Sequence, residues 1–175
     1  THKKDLTTLV EGLSFTLSPG DRAALIGEEG NGKSTVLKLL SDPTLVEPYA
    51  EWTGEIVDKD VRRGYLAQEL TPGELALPVW EFCQASPAFP DADPKALDRA
   101  ARQVGLDAGL FWDDRPMATL SGGERVKLRL ALLLSDGPDI LLLDEPSNDL
   151  DLATLEWLEG FLLGCNVPVL YISHD

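Results

Sequence analysis

Hydrophobic and polar positions change their period several times along this chain, and each change marks an element. Residues 13–17 alternate apolar and small polar side chains in the manner of a strand, and Ser18-Pro19-Gly20-Asp21 then turns the chain. Residues 23–26 form a short apolar run, the pattern of a buried strand. A glycine-rich stretch, 27–34, leads from it into a helix reaching about Leu40, whose core face is Val36, Leu37, Leu39 and Leu40. After breaks at Pro43 and Pro48, residues 55–57 and 64–67 read as two further strands.

The character changes between about Glu69 and Leu120. Prolines at 72, 78, 87, 90, 94 and 116 punctuate short helical stretches, and Val79, Trp80, Phe82 and the segment 96–104 offer apolar faces to bury. This predicts an inserted helical lobe, not a linker. A helix follows from Gly122 to about Leu134, stopped by Ser135-Asp136-Gly137-Pro138. Residues 140–143 are continuously apolar, as expected of a parallel strand covered on both faces. Asp151 is placed to cap a helix through about Leu163, with Leu152, Leu155, Leu158 and Leu162 at helical spacing, and residues 167–172 return as a strand. Alternating strands and helices predict an α/β fold around a mostly parallel sheet. In this division, about 1–68 and 136–175 form the core and about 69–135 the helical lobe of one domain.

At 175 residues, a chain can bury roughly 68–70% of its unfolded surface and needs no disulfide staples. Cys83 and Cys165 match no metal spacing and read as reduced, structural thiols of a cytosolic protein. The apolar runs are too short to span a bilayer, no secretory signal opens the chain, and insertion into a membrane is not expected. The sequence runs from a threonine to Asp175, and we expect it to be a piece of a longer product. The formal net charge is −15 and the pI about 4.4. Such a surface repels phosphate backbones, which disfavours nucleic-acid binding by this domain alone. Its one basic cluster, Lys59 with Arg62 and Arg63, reads as a solvated strand edge.

Candidate chemistry sits at the joints between elements. Segment 27–35 reads GEEGNGKST, a phosphate-loop pattern between a strand and a helix. Gly27, Gly30 and Gly32 let successive backbone N–H groups curl toward an anion, Lys33 reaches the β- and γ-phosphates, and Ser34, ahead of Thr35, offers its hydroxyl to Mg²⁺. Glu28 and Glu29 must then point outward. Segment 141–146 reads LLLDEP, a buried strand ending in two carboxylates. Asp144 is suited to hold a metal through water and Glu145 to polarise an attacking water. Gln68 follows the strand at 64–67, where its amide can meet a metal-bound water. His174 ends the last strand, as a donor to a γ-phosphate. Finally, segment 120–124 reads LSGGE, so Ser121, Gly122 and Gly123 open a helix with bare backbone N–H groups and a hydroxyl, an anion receptor.

With these motifs in this order, the chain resembles the ATP-binding cassette superfamily along nearly its whole length. The matching pieces are the Walker A loop (Gly27, Gly30, Asn31, Gly32, Lys33, Ser34, Thr35), the glutamine loop at Gln68, the signature at Ser121, Walker B with Asp144 and Glu145, the D-loop SNDLD at 147–151, and the switch His174. The resemblance implies a RecA-like P-loop NTPase core with an antiparallel β-subdomain and a helical signature subdomain. It also implies ATP and Mg²⁺ as ligands, and hydrolysis in a head-to-tail sandwich with a second cassette, from the same full-length chain or a second copy. Details such as GYLAQE at 64–69 and EPSNDLD at 145–151 resemble the ABC-F branch, soluble factors that mostly act on ribosomes. Ser147 and Asp149 stand where that branch usually has Thr and His. A ribosome, reached through parts outside this segment, is thus one implied partner. The membrane subunit of a transporter is the alternative, and an ATP-driven dimerisation switch with little turnover is another. No aromatic precedes Leu13 to stack on adenine, which leaves His2 or a residue upstream.

Overall fold

The computed structural model describes residues 1–57 and 60–173. Four strands, β1 (Arg22–Ile26), β2 (Arg63–Leu66), β3 (Ile140–Asp144) and β4 (Val169–Ser173), form one parallel sheet in the order β1-β4-β3-β2. Helix α1 (Lys33–Ser41) covers one face. Helices α2 (Pro72–Ala76), α3 (Val79–Gln84) and α4 (Pro94–Val104) lie in the predicted lobe, and α5 (Gly122–Ser135) and α6 (Leu152–Gly164) belong to the other face.

The apolar run of β3 has the reason its pattern suggested. Leu141 and Leu143 face a large cluster with Leu128, Leu130 and Leu158, whereas Leu142 faces a smaller one with Leu37, Leu170 and Ile172. Gly64 lies in β2 where a Cβ would stand 3.0 Å from a Leu141 methyl carbon, so a larger residue would make the Leu141 side chain shift. At the other edge, the Arg22 guanidinium on β1 donates to the carbonyls of Leu162 and Leu163, closing the open C-terminal end of α6.

In segment 69–135, Val79, Leu97, Ala100, Ala101 and Val104 are buried, and Trp80 and Phe82 are half-buried; the buried ones share one cluster with Leu141 and Leu143 of β3. Asp93 caps α4, and Pro94 starts it without the loss of a helical hydrogen bond. The isolated thiols of Cys83 and Cys165 are buried, and burial pushes the Cys83 thiol up to about 12.

The N-terminal expectations fare differently. Residues 13–17 form no strand, and Leu13 and Phe15 stay 48% and 43% exposed, with only Leu17 reaching the core. Residues 55–57 are likewise irregular, and Val57 is 71% exposed. Every strand pair among the described residues is parallel. Antiparallel contact is confined to isolated bridges, of which His2 with Ala50 is the one in this region, so no antiparallel sheet forms here. The physical reason is the lack of a partner: a strand pattern yields a strand only where a second backbone completes the ladder. His2 rests on that bridge with its ring near Tyr49. Lys59 and His174 lie outside the described residues.

Candidate functional site

The carboxyl ends of parallel strands are where such sheets receive ligands, and three of the predicted motifs meet there. The loop leaving β1 reaches α1 through Gly30 (φ 82°) and Gly32 (φ 74°), both in the left-handed region. Gly32 carries a second constraint, because a Cβ there would lie 3.1 Å from the Leu9 carbonyl oxygen. As the N-cap of α1 it supplies no side chain, and no acidic residue occupies the first turn of the helix. The N–H groups at this helix start therefore remain available to an external anion. The Lys33 ammonium folds over the loop and donates to the carbonyls of Gly27 (2.7 Å) and Glu28 (2.5 Å). Glu28 and Glu29 are exposed, as the outward expectation requires.

Two pairs of oxygen- and nitrogen-bearing side chains face this loop. The Ser34 hydroxyl donates to Asp144 Oδ1 at 3.2 Å, and the Gln68 amide donates to Glu145 Oε2 at 2.9 Å. Asp144 is only 2% exposed, a charged side chain at the end of a buried strand. Burial raises its carboxyl above the ordinary range. Ser34's hydrogen bond opposes the rise, Glu145 adds to it, and Lys38 and Lys33 pull it down. Glu145 takes a left-handed backbone (φ 48°), a local cost of the kind stored where geometry serves a site. Lys33, Ser34, Gln68, Asp144 and Glu145 are thus brought together from three segments. Ser173 pairs with Ile26 in the sheet register, so β4 ends beside the entry to the loop.

The donor set fits a small hard cation with a polyphosphate. Ser34 and Asp144 offer oxygen atoms side by side. Among the described residues no group of three or more His, Cys, Asp or Glu side chains could hold a metal on its own. Mg²⁺ characteristically takes one or two protein oxygens and completes its shell with phosphate and water.

The LSGGE turn differs from its expectation. Ser121 caps α5 and accepts from the Glu124 N–H at 3.1 Å, while the Glu124 carboxylate returns to the Ser121 N–H at 3.1 Å. A capping box therefore satisfies two of the donors that sequence reading left bare, and the amides of Gly122 and Gly123 with the Ser121 hydroxyl proton remain. Both glycines abut the segment after Glu145. A Cβ on Gly122 would lie 3.2 Å from the Asp149 carbonyl oxygen, and one on Gly123 only 2.6 Å from Thr154 Oγ1.

Sequence reading missed Arg129, which reaches from α5 to donate to the carbonyl of Ala67, the residue before Gln68. Its signal was a lone cation inside the apolar run LRLALLL. It also missed Tyr65, whose buried hydroxyl has no hydrogen-bond partner and is pushed up to about 12, chiefly by burial.

A parallel α/β sheet with a phosphate loop after its first strand and acidic residues at the end of another defines a P-loop nucleotide-binding domain. The family model for the ABC transporter matches residues 10–148, and the chain belongs to that family, whose members bind ATP with Mg²⁺. It is 34% identical to the tylosin resistance ATP-binding protein TlrC of Streptomyces fradiae, over 100% of this chain and 38% of that one. It is 30% identical to ABC transporter F family member 2 of Arabidopsis thaliana, over 96% of this chain and 30% of that one. The resemblance is to the ABC-F branch, and the chain spans about a third of the length of these relatives. A solved nucleotide-free ATP-binding cassette from an ABC transporter shares the fold, with a TM-score of 0.72 over 95% of this chain and 76% of that one at 19% identity. No helix among the described residues is long and apolar enough to cross a membrane.

Proposed function

We propose that this chain is the ATP-hydrolysing cassette of an ABC-F-type translation or antibiotic-resistance factor, active when a second cassette closes over its nucleotide. The observation that carries the reading is the meeting of Ser34 with Asp144, and of Gln68 with Glu145, above one phosphate loop. Gly27, Gly30, Asn31, Gly32 and Thr35 shape the loop around the phosphates, and Lys33 exchanges its two carbonyl partners for phosphate oxygens. Ser34 and Asp144 hold Mg²⁺, with Gln68 at its water. Glu145 takes the proton of the attacking water, held until then by the Gln68 amide. His174 is the proposed γ-phosphate contact from the adjacent strand end.

Ser121, Gly122 and Gly123 serve the nucleotide of the other cassette. Two things support a paired site: the glycine-bearing turn packs against its own D-loop, and its remaining donors are unspent. TlrC, named for tylosin resistance, and the F-family member from Arabidopsis support the branch. The deciding experiment is ATP turnover by the full-length gene product, with and without Ser121→Arg. Abolished turnover with ATP still bound supports the sandwich. Equal turnover per chain in a strictly monomeric sample overturns it, and co-purification with a membrane subunit reassigns the partner to a transporter.

A further inference from the structure

Gly123 occupies a position at which the structure leaves no room for a side chain. An added Cβ would stand 2.6 Å from Thr154 Oγ1, 3.1 Å from Thr154 Cγ2 and 3.5 Å from Thr154 Cβ. Contacts under 3 Å with carbon force something to move, and Thr154 cannot easily do so. It is β-branched, so a turn about χ1 exchanges one γ atom for the other and does not clear the space, and its backbone N–H donates to Asp151 Oδ1 at 2.8 Å, in the cap that starts α6. The same stretch of chain runs back through Leu150 and Asp149, which meet Gly122, to Glu145 at the loop-side site. The first turn of α5 is therefore seated on the segment that leaves the Glu145 strand end.

We propose that Thr154 is a positioning residue for the signature turn: its side chain fills the space beside Gly123 and so fixes where the Gly122 and Gly123 amides point. On this view Gly123 is a glycine because of a contact within its own cassette, beyond any need to let a phosphate approach. Seating the turn on Thr154 joins the half-site presented to the partner to the half-site the chain completes for itself. The inference rests on the proposed trans role of the signature turn.

The test is a mutant cycle in the full-length protein with its second cassette. Gly123→Ala is expected to lower the melting midpoint, as overpacking does, and to lower ATP turnover by about tenfold or more, because a displaced turn misaims its donors. Adding Thr154→Ala, which removes both atoms that crowd the new methyl, is expected to recover the midpoint and to raise turnover about threefold or more above Gly123→Ala alone. Adding Thr154→Val, which keeps the volume, should restore neither. A Gly123→Ala/Thr154→Ala protein as inactive as Gly123→Ala alone would overturn the proposal, since the glycine would then be needed for the phosphate. So would a Gly123→Ala protein with full turnover. If wild type itself hydrolyses no ATP, the functional reading fails. The melting cycle still decides the contact: rescue by alanine but not valine supports the seat, and equal melting of all variants removes it.

Discussion

Two helices in this cassette have glycine at or beside their N-caps, yet their N-termini are finished in opposite ways. Helix α1 starts at Gly32 with no side-chain cap and no acid in its first turn, and its neighbour Lys33 spends its charge on two loop carbonyls. Helix α5 is capped by Ser121 in a complete capping box with Glu124, whose carboxylate accepts from the Ser121 N–H. Helix N-termini attract negative charge through free N–H groups and the helix dipole. The first end is built to take that charge from a ligand, while the second already carries some of its own. A receptor of the first kind can bind a triphosphate by itself. One of the second kind keeps only a few donors, which suits the proposed role of adding to a phosphate that another set of groups already holds.

The sharpest way to break this contrast is to act on the loop-side site alone. Glu145→Gln keeps the shape and removes the base, so turnover should fall by about 10²–10⁴-fold while ATP still binds. Single-turnover hydrolysis on the full-length protein checks this, and unchanged turnover would remove Glu145 from the chemistry. Lys33→Ala should come next. Loss of a charge-assisted contact weakens ATP binding by about 1.5–3 kcal/mol, read by isothermal titration. Unaltered affinity would mean that the open N-terminus of α1 is not the primary receptor.

The contrast also explains what could be read without coordinates. The loop, the two acids at the end of β3 and the LSGGE turn are local signals, each carried by neighbours in sequence, though the cap on Ser121 changes what the turn offers. The buried parallel strands were legible because both their faces are apolar, as at Leu141 to Leu143. The alternating pattern around Leu13 and Phe15 misled because pairing depends on a distant backbone that the pattern does not contain. Thr154 was invisible for a related reason. It stands 31 positions from Gly123, and a steric limit on a glycine leaves no mark in the periodicity of either helix. The capping box was readable from Ser121 and Glu124 but was overlooked, because the two glycines drew the reading toward bare donors.

A smaller effect sharpens the other half of the comparison. If α5 is finished by its own cap, Ser121→Ala should cost about 0.5–2 kcal/mol of stability, as measured for such caps in general. Urea denaturation without nucleotide reads this directly. No loss would mean that the Ser121–Glu124 bonds contribute little and that the turn is as open as that of α1.

The smallest expected effect tests whether the open site is bought at the expense of the fold. Asp144 is buried and its carboxyl is raised from an ordinary value of 3.8, chiefly by burial. For a group raised in this way the folded state holds the proton more tightly than the unfolded state does. Between the raised folded value and 3.8 the native chain binds more protons, so this group's contribution to stability falls as pH rises through that window. Above that window the group is charged in both states and its cost is fully present. Asp144→Asn, which cannot ionise, should therefore raise the melting midpoint of the nucleotide-free protein at pH 7, and the gain should shrink as pH falls toward 3.8. The other carboxylates are common to both proteins, so the difference between the two curves isolates this one, with Glu145 as its coupled neighbour. A lower midpoint for the asparagine variant at pH 7 would show that Ser34's hydrogen bond, with Lys33 and Lys38, outweighs burial. The strand end would then be a stabilised anion and not a strained one awaiting its cation.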